Sequence, residues 1–125
     1  MLIVAAQTTS ATLSVPSGTE GSTLTLTCQY SAEDAFIFGW LIGSTSTASQ
    51  TYVGQVYNSY NGSSCVPALT VNLTLYSYSC SNTSRHTMTV RNLTSSNHGE
   101  IWQCNVFPLS GGVIYSKNVT ISVQG

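Results

Sequence analysis

Apolar and polar residues alternate along much of the chain with a period of two. That period belongs to half-buried β-strands, in which successive side chains point to opposite faces. Leu24, Leu26 and Cys28 share one face of a run whose other face is Thr23, Thr25 and Thr27. Residues 2–7 and 11–15 read as an earlier strand in two pieces, kinked at Thr8, Thr9 and Ser10 and ended by Pro16-Ser17-Gly18. Residues 51–57 form a strand with Tyr52, Gly54 and Val56 opposite Val53, Gln55 and Tyr57. Residues 69–76 form another, with Val71, Leu73 and Leu75 inward and Thr70, Asn72 and Thr74 outward. In residues 85–92, Met88 and Val90 face inward, with Leu93 just beyond. Residues 100–109 and 112–123 make a closing hairpin turned at Leu109-Ser110-Gly111-Gly112, with Val119, Ile121 and Val123 on its apolar side. No helical period and no internal repeat interrupts this pattern. Short strands parted by turn clusters predict an all-β antiparallel sandwich of two sheets.

One run departs from the rule. Residues 35–43 place Phe36, Phe38, Trp40 and Ile42 on one face, yet the other face carries Ala35, Ile37, Gly39, Leu41 and Gly43. A strand face that met only water would be polar. Both faces of this strand therefore have something apolar to do.

Composition narrows the function. The chain of 125 residues fits one domain, 1–125, with a sizeable core. Only 6% of residues are charged, against about 25% in an average domain, and the net charge is -1. Nucleic-acid binding, which runs on phosphate neutralisation, is excluded as an expectation. Sequons at Asn61, Asn72, Asn82, Asn92 and Asn118 answer the charge deficit, because each would carry a hydrophilic N-linked glycan in a secretory pathway. Four cysteines suit an oxidising compartment and admit three pairings. No Cys-x-x-Cys occurs, so neither a zinc nor a thioredoxin-like site is expected. Two histidines, His86 at a strand start and His98 in a turn, read as surface or capping residues, and no acid is placed to orient either. The expectation is a protein without catalysis, metal or cofactor. The aliphatic run Leu2-Ile3-Val4-Ala5-Ala6 is far too short to span a bilayer and reads as a first strand, the alternative being the tail of a signal peptide.

The motifs Leu24-Thr25-Leu26-Thr27-Cys28, Trp40, Met88-Thr89-Val90-Arg91-Asn92-Leu93 and His98-Gly99-Glu100-Ile101-Trp102-Gln103-Cys104 resemble the immunoglobulin superfamily over nearly the whole chain. The spacing between Cys28 and Cys104 leaves room for two extra edge strands, as in the V-set-like, variable-type Greek-key domain. The resemblance implies a Cys28–Cys104 disulfide between the sheets, with Trp40 against it and Leu26, Leu93 and Trp102 in the core. It leaves Cys65 and Cys80 to pair with each other, the alternative being two free thiols. Three features depart from the family. Trp102 stands where a tyrosine corner is usual, the acid of the familiar Arg-Asp ion pair is missing, and no Gly-x-Gly marks the last strand. An antibody or T-cell-receptor domain is thus not expected. A diverged cell-surface receptor fits better, and the chain distantly resembles the N-terminal domains of invertebrate (cnidarian) allorecognition receptors, which pair with themselves across cells.

In that architecture the strand of Trp40 turns Ile37, Gly39 and Leu41 outward. Parity from Cys104 adds Ile101, Gln103, Asn105 and Phe107, with Tyr52 or Tyr57 and Ile114 at the border. An aromatic, charge-poor cluster of this kind has the composition of an interface core. The candidate partner-binding residues are Ile37, Leu41, Tyr52, Gln103, Phe107 and Ile114. The expected function is recognition or adhesion by the extracellular part of a single-pass cell-surface protein, through a protein partner that includes a second copy of the same domain. The alternative is an immune-type receptor or secreted module binding a heterologous ligand, a microbial or host protein or glycan. The loops around Glu33, Asp34 and Phe107-Pro108-Leu109 form a second candidate site.

Overall fold

A computed structural model describes residues 9–32, 35–43, 51–58, 65–70, 74–82 and 84–125. Twelve strands are described: β1 (Ala11–Ser14), β2 (Gly18–Thr19), β3 (Leu24–Tyr30), β4 (Ala35–Gly43), β5 (Thr51–Asn58), β6 (Cys65–Thr70), β7 (Tyr76–Asn82), β8 (Arg85–Val90), β9 (Ile101–Pro108), β10 (Ile114–Tyr115), β11 (Val119–Thr120) and β12 (Val123–Gln124). One 3-10 turn, Ser95–Asn97, precedes β9. One sheet runs β1-β3-β8-β7. The other runs β10-β9-β4-β5-β6, with β11 also on β9. β12 pairs in parallel with β2. This is the antiparallel two-sheet sandwich with both additional edge strands, β5 and β6.

The two inner faces meet over a core containing Leu26, Cys28, Phe38, Trp40, Met88, Leu93, Trp102, Cys104 and Val106. Cys28 and Cys104 form the intersheet disulfide. Trp40 stands directly across from Cys104 on the neighbouring strand, so the indole lies against the bridge. The pairing expected of Cys65 and Cys80 rests on side chains outside those described.

Three slips of register decide which side chains look outward. β4 slips against β9 between Ala35 and Ile37, so Ala35 lies in the core rather than on the outer face. β5 slips against β4 beside Val53, which brings Val53 and Val56 inward and leaves Tyr52, Gln55 and Tyr57 on the other side. The expected grouping of Tyr52 with Gly54 and Val56 is therefore corrected. A bulge puts two residues opposite one and reverses the alternation beyond it. The third slip falls in the last strand. Tyr115 faces Asn105 and Val119 faces Trp102, so four steps along one strand match three along β9. Ser116 holds the kink: its hydroxyl accepts the Cys104 N–H at 2.9 Å, and its own N–H donates to the Cys104 carbonyl at 2.9 Å.

The strand expected over 69–76 is not formed. Leu69 and Thr70 end β6, Thr74 and Leu75 lie in a turn, and Tyr76 opens β7. Leu75, expected inward, is exposed. Of the expected two-piece first strand, residues 2–7 and Thr8 lie outside the described residues; the described part changes partner at residues 15–17, between β1 on β3 and β2 on β12.

Where the family places a tyrosine corner, Trp102 and Asn97 share one acceptor. The indole N–H of Trp102 donates to Glu100 Oε1 at 3.4 Å, and Asn97 Nδ2 donates to the same oxygen at 3.0 Å. Asn97 Oδ1 in turn accepts the Thr94 N–H at 2.8 Å. A donor-only indole needs an acceptor, and Glu100 supplies it two residues away.

His86 is a correction. It is fully buried between Phe38, Trp40 and Tyr78 rather than at the surface. Trp40 Nε1–H donates to His86 Nδ1 at 3.1 Å, which puts the imidazole proton on Nε2. Desolvation lowers its pKa from 6.5 to about 3. His98 is exposed in its turn, where Nδ1 accepts the Val123 N–H at 3.0 Å.

Candidate functional site

The outer face of β9, β4 and β5 resolves into three rows. Register places Tyr57, Ile37 and Phe107 side by side. The next row is Gln55, Gly39, Asn105 and Tyr115. The third is Tyr52, Leu41 and Gln103. None of these side chains is charged at neutral pH.

The middle of the face is closed by its own side chains. Asn105 is fully buried although it points away from the core, and Leu41 is only 7% exposed. Gly39 makes this closure fit. A Cβ there would collide with Asn105 Oδ1 and lie 2.9 Å from the Tyr52 ring. The missing side chain leaves a shallow trough in which the carboxamide and the phenol lie. Asn105 Nδ2 donates to the Tyr52 hydroxyl at 2.6 Å. Asn105 Oδ1 is buried without a hydrogen-bond partner. Gln103 is anchored through Nε2 to the Ser116 carbonyl at 2.7 Å.

Exposure rises toward the β9–β10 turn. Tyr57 is 38% exposed, Val113 40%, Leu109 48% and Tyr115 56%, while Ile37 and Phe107 are half-buried between them. Gly111 and Gly112 carry φ of 100° and 82°, the left-handed conformation that glycine adopts without strain and that lets the turn close tightly. The apolar patch is thus the turn end of the sheet rather than its centre.

Among the expected residues, Ile37, Leu41, Tyr52, Gln103 and Phe107 do share one face. Ile114 does not belong to it. Ile114 stands across from Val106 and packs against the core. Its neighbour Tyr115 takes the outward position, and alternation carried from Asn105 across the hairpin would have found it. Glu33, Asp34, Asn61 and Asn72 lie outside the described residues, and the Asn82 side chain lies outside those described. Asn92 and Asn118 are exposed. Among the described residues no group of three or more His, Cys, Asp and Glu gathers to hold a metal. No helix among them is long and apolar enough to cross a membrane.

Strand order, disulfide and extra edge strands together define an immunoglobulin-like, variable-type fold. Solved structures agree. A chain from work on the structural basis of T cell specificity and activation by the bacterial superantigen toxic shock syndrome toxin-1 superposes with a TM-score of 0.73 at 12% identity, covering 94% of this chain and 98% of that one. A marsupial T cell receptor gives a TM-score of 0.73 at 12% identity over 94% of this chain and 54% of its own. At that identity the likeness is one of fold. No family model matches the chain, and no curated protein matches it.

Proposed function

We propose that this domain is an extracellular recognition module, without catalysis, that binds a protein partner through the turn end of the outer β9-β4-β5 face. The observation that carries the reading is the uncharged row Tyr57-Ile37-Phe107, bordered by exposed Tyr115, Val113 and Leu109. Aromatic-rich, charge-depleted clusters are the composition of interface cores. A second copy of the domain on an opposing cell is the first partner, as in allorecognition receptors. A patch of neutral side chains meets its own copy without like-charge repulsion. The parent protein is then a single-pass membrane receptor with this domain outside the cell.

Ile37→Asp and Phe107→Asp each place a carboxylate in the row. Beads coated with the domain are expected to aggregate, and either substitution to abolish aggregation while circular dichroism stays unchanged. Aggregation that survives both changes overturns the site. The exposed turn of Leu109 and Val113 favours a second reading, in which the same end grips a heterologous protein ligand. Beads of the unaltered domain that never aggregate, with binding to a heterologous protein lost in Phe107→Asp, would select it.

A further inference from the structure

β12 is held on two sides. Toward β2, the Ser122 and Gln124 carbonyls accept the Gly18 and Glu20 N–H groups at 3.1 Å and 2.8 Å. Peptide groups of successive residues in a strand turn to opposite edges, so the Val123 N–H between them points away from β2. It donates to Nδ1 of His98 at 3.0 Å. The acceptor is a side chain because the main chain turns away there. Residues 99 and 100 still run beside Ile121: the Ile121 N–H donates to the Glu100 carbonyl at 2.8 Å, and the Gly99 N–H to the Ile121 carbonyl at 2.9 Å. One residue earlier the chain is in its 3-10 turn, with the His98 N–H on the Ser95 carbonyl at 3.2 Å. The imidazole, rather than a main-chain carbonyl, carries the ladder on to Val123.

We infer that His98 is an acid-released clasp on β12. Nδ1 accepts a hydrogen bond only in the neutral imidazole with its proton on Nε2. A second proton turns Nδ1 into a donor facing the Val123 N–H, and donor then meets donor. His98 is exposed, so the proton comes straight from solvent. Imidazoles as a class change charge between about pH 5 and 8. The contribution of the bond is therefore complete above that range and is lost as the pH falls through it. The charged side chains at this end of the sandwich are Glu20 after β2, Arg91 after β8 and Glu100 before β9. Glu100 Oε1 already accepts from Asn97 and Trp102, and Glu20 lies toward Gly125. Among the described residues none of the three forms an ion pair with His98. The Val123 bond is thus the interaction that the proton removes. Nδ1 of His86 also accepts an N–H, but inside the core, where protonation costs the whole fold; at His98 it costs the hold on β12.

The test is amide hydrogen exchange by NMR at about pH 7.5 and about pH 5, each rate divided by that of an unstructured peptide at the same pH. Protection of the Val123 amide is expected to fall about fivefold between the two in the natural chain. His98→Asn keeps an acceptor at the same step along the side chain and does not titrate. Its Val123 protection is expected to be the same at both pH values. His98→Ala is expected to show the lower protection at both. Equal protection at the two pH values in the natural chain overturns the inference. So does a fall in His98→Asn as large as in the natural chain, which would make the loss general rather than that of this ring. Protection in His98→Ala equal to that of the natural chain at about pH 7.5 overturns it as well, because the imidazole would then not hold the amide.

Discussion

Urea unfolding at about pH 7 and about pH 4.5 will show a stability lower by about 2–3 kcal/mol at the acid end, and His86→Gln will remove most of that difference. His86 is fully buried, and the rings against it, Phe38, Trp40 and Tyr78, are all uncharged. The folded imidazole resists protonation down to about pH 3, whereas the unfolded one takes a proton near its ordinary 6.5. The folded pKa is the lower one. Its contribution is complete above pH 6.5 and is lost as the pH falls toward about 3, because only the unfolded state gains the proton. Gln keeps a carbonyl oxygen for the Trp40 N–H and does not titrate. Every other titratable group is common to both proteins. An equal pH dependence in the two would sink the assignment.

Replacing Cys28 and Cys104 by Ala together will lower stability by about 4 kcal/mol, the chain-entropy value for a loop of this length. The bond spans a sequence separation of 76 and joins β3 to β9 across the core. Both residues are fully buried, so the bridge leaves a small void as well as a longer free chain. Against a typical domain stability of about 5–15 kcal/mol, that loss is between about a quarter and four fifths of the whole. Denaturant titration of the variant beside the natural chain measures it. A drop below about 1 kcal/mol would mean that the sheets hold without their bridge.

How far the sequence could be read depended on where the alternation kept its phase. β9 keeps it, so parity from Cys104 correctly buried Trp102 and Val106 and turned Gln103 and Phe107 outward. The same reasoning failed at Ala35, Val53 and Ser116, because each bulge adds a residue that shifts the phase, and only the one at Val53 has a glycine, Gly54, beside it to mark it. The 69–76 run was misread for a related reason. Apolar residues keep to odd numbers through Leu75 in the sequence and then move to even ones at Tyr76 and Tyr78, and Thr74 and Leu75 lie in a turn at that change of phase. His86 was beyond local reading. Its polarity suits a surface, and the indole that accommodates it lies 46 residues away in the sequence. Asn105 was correctly assigned to the outer face. Its burial there depends on Gly39 and Tyr52, two strands that no single-strand pattern relates.

The parallel pair of β2 and β12 has a mechanical consequence. The Tyr57-Ile37-Phe107 row lies toward the β9–β10 turn, and Val123 and Gln124 lie at the far end of the same strand path, across from Gly18 and Thr19. Tension between that turn and Gly125 runs along the strand axis and loads this pair in shear. The Gly18 N–H to Ser122 carbonyl bond at 3.1 Å and the Glu20 N–H to Gln124 carbonyl bond at 2.8 Å must then yield together rather than one after the other. Once they part, the disulfide keeps the chain between Cys28 and Cys104 from lengthening. Only the segments outside that loop can extend.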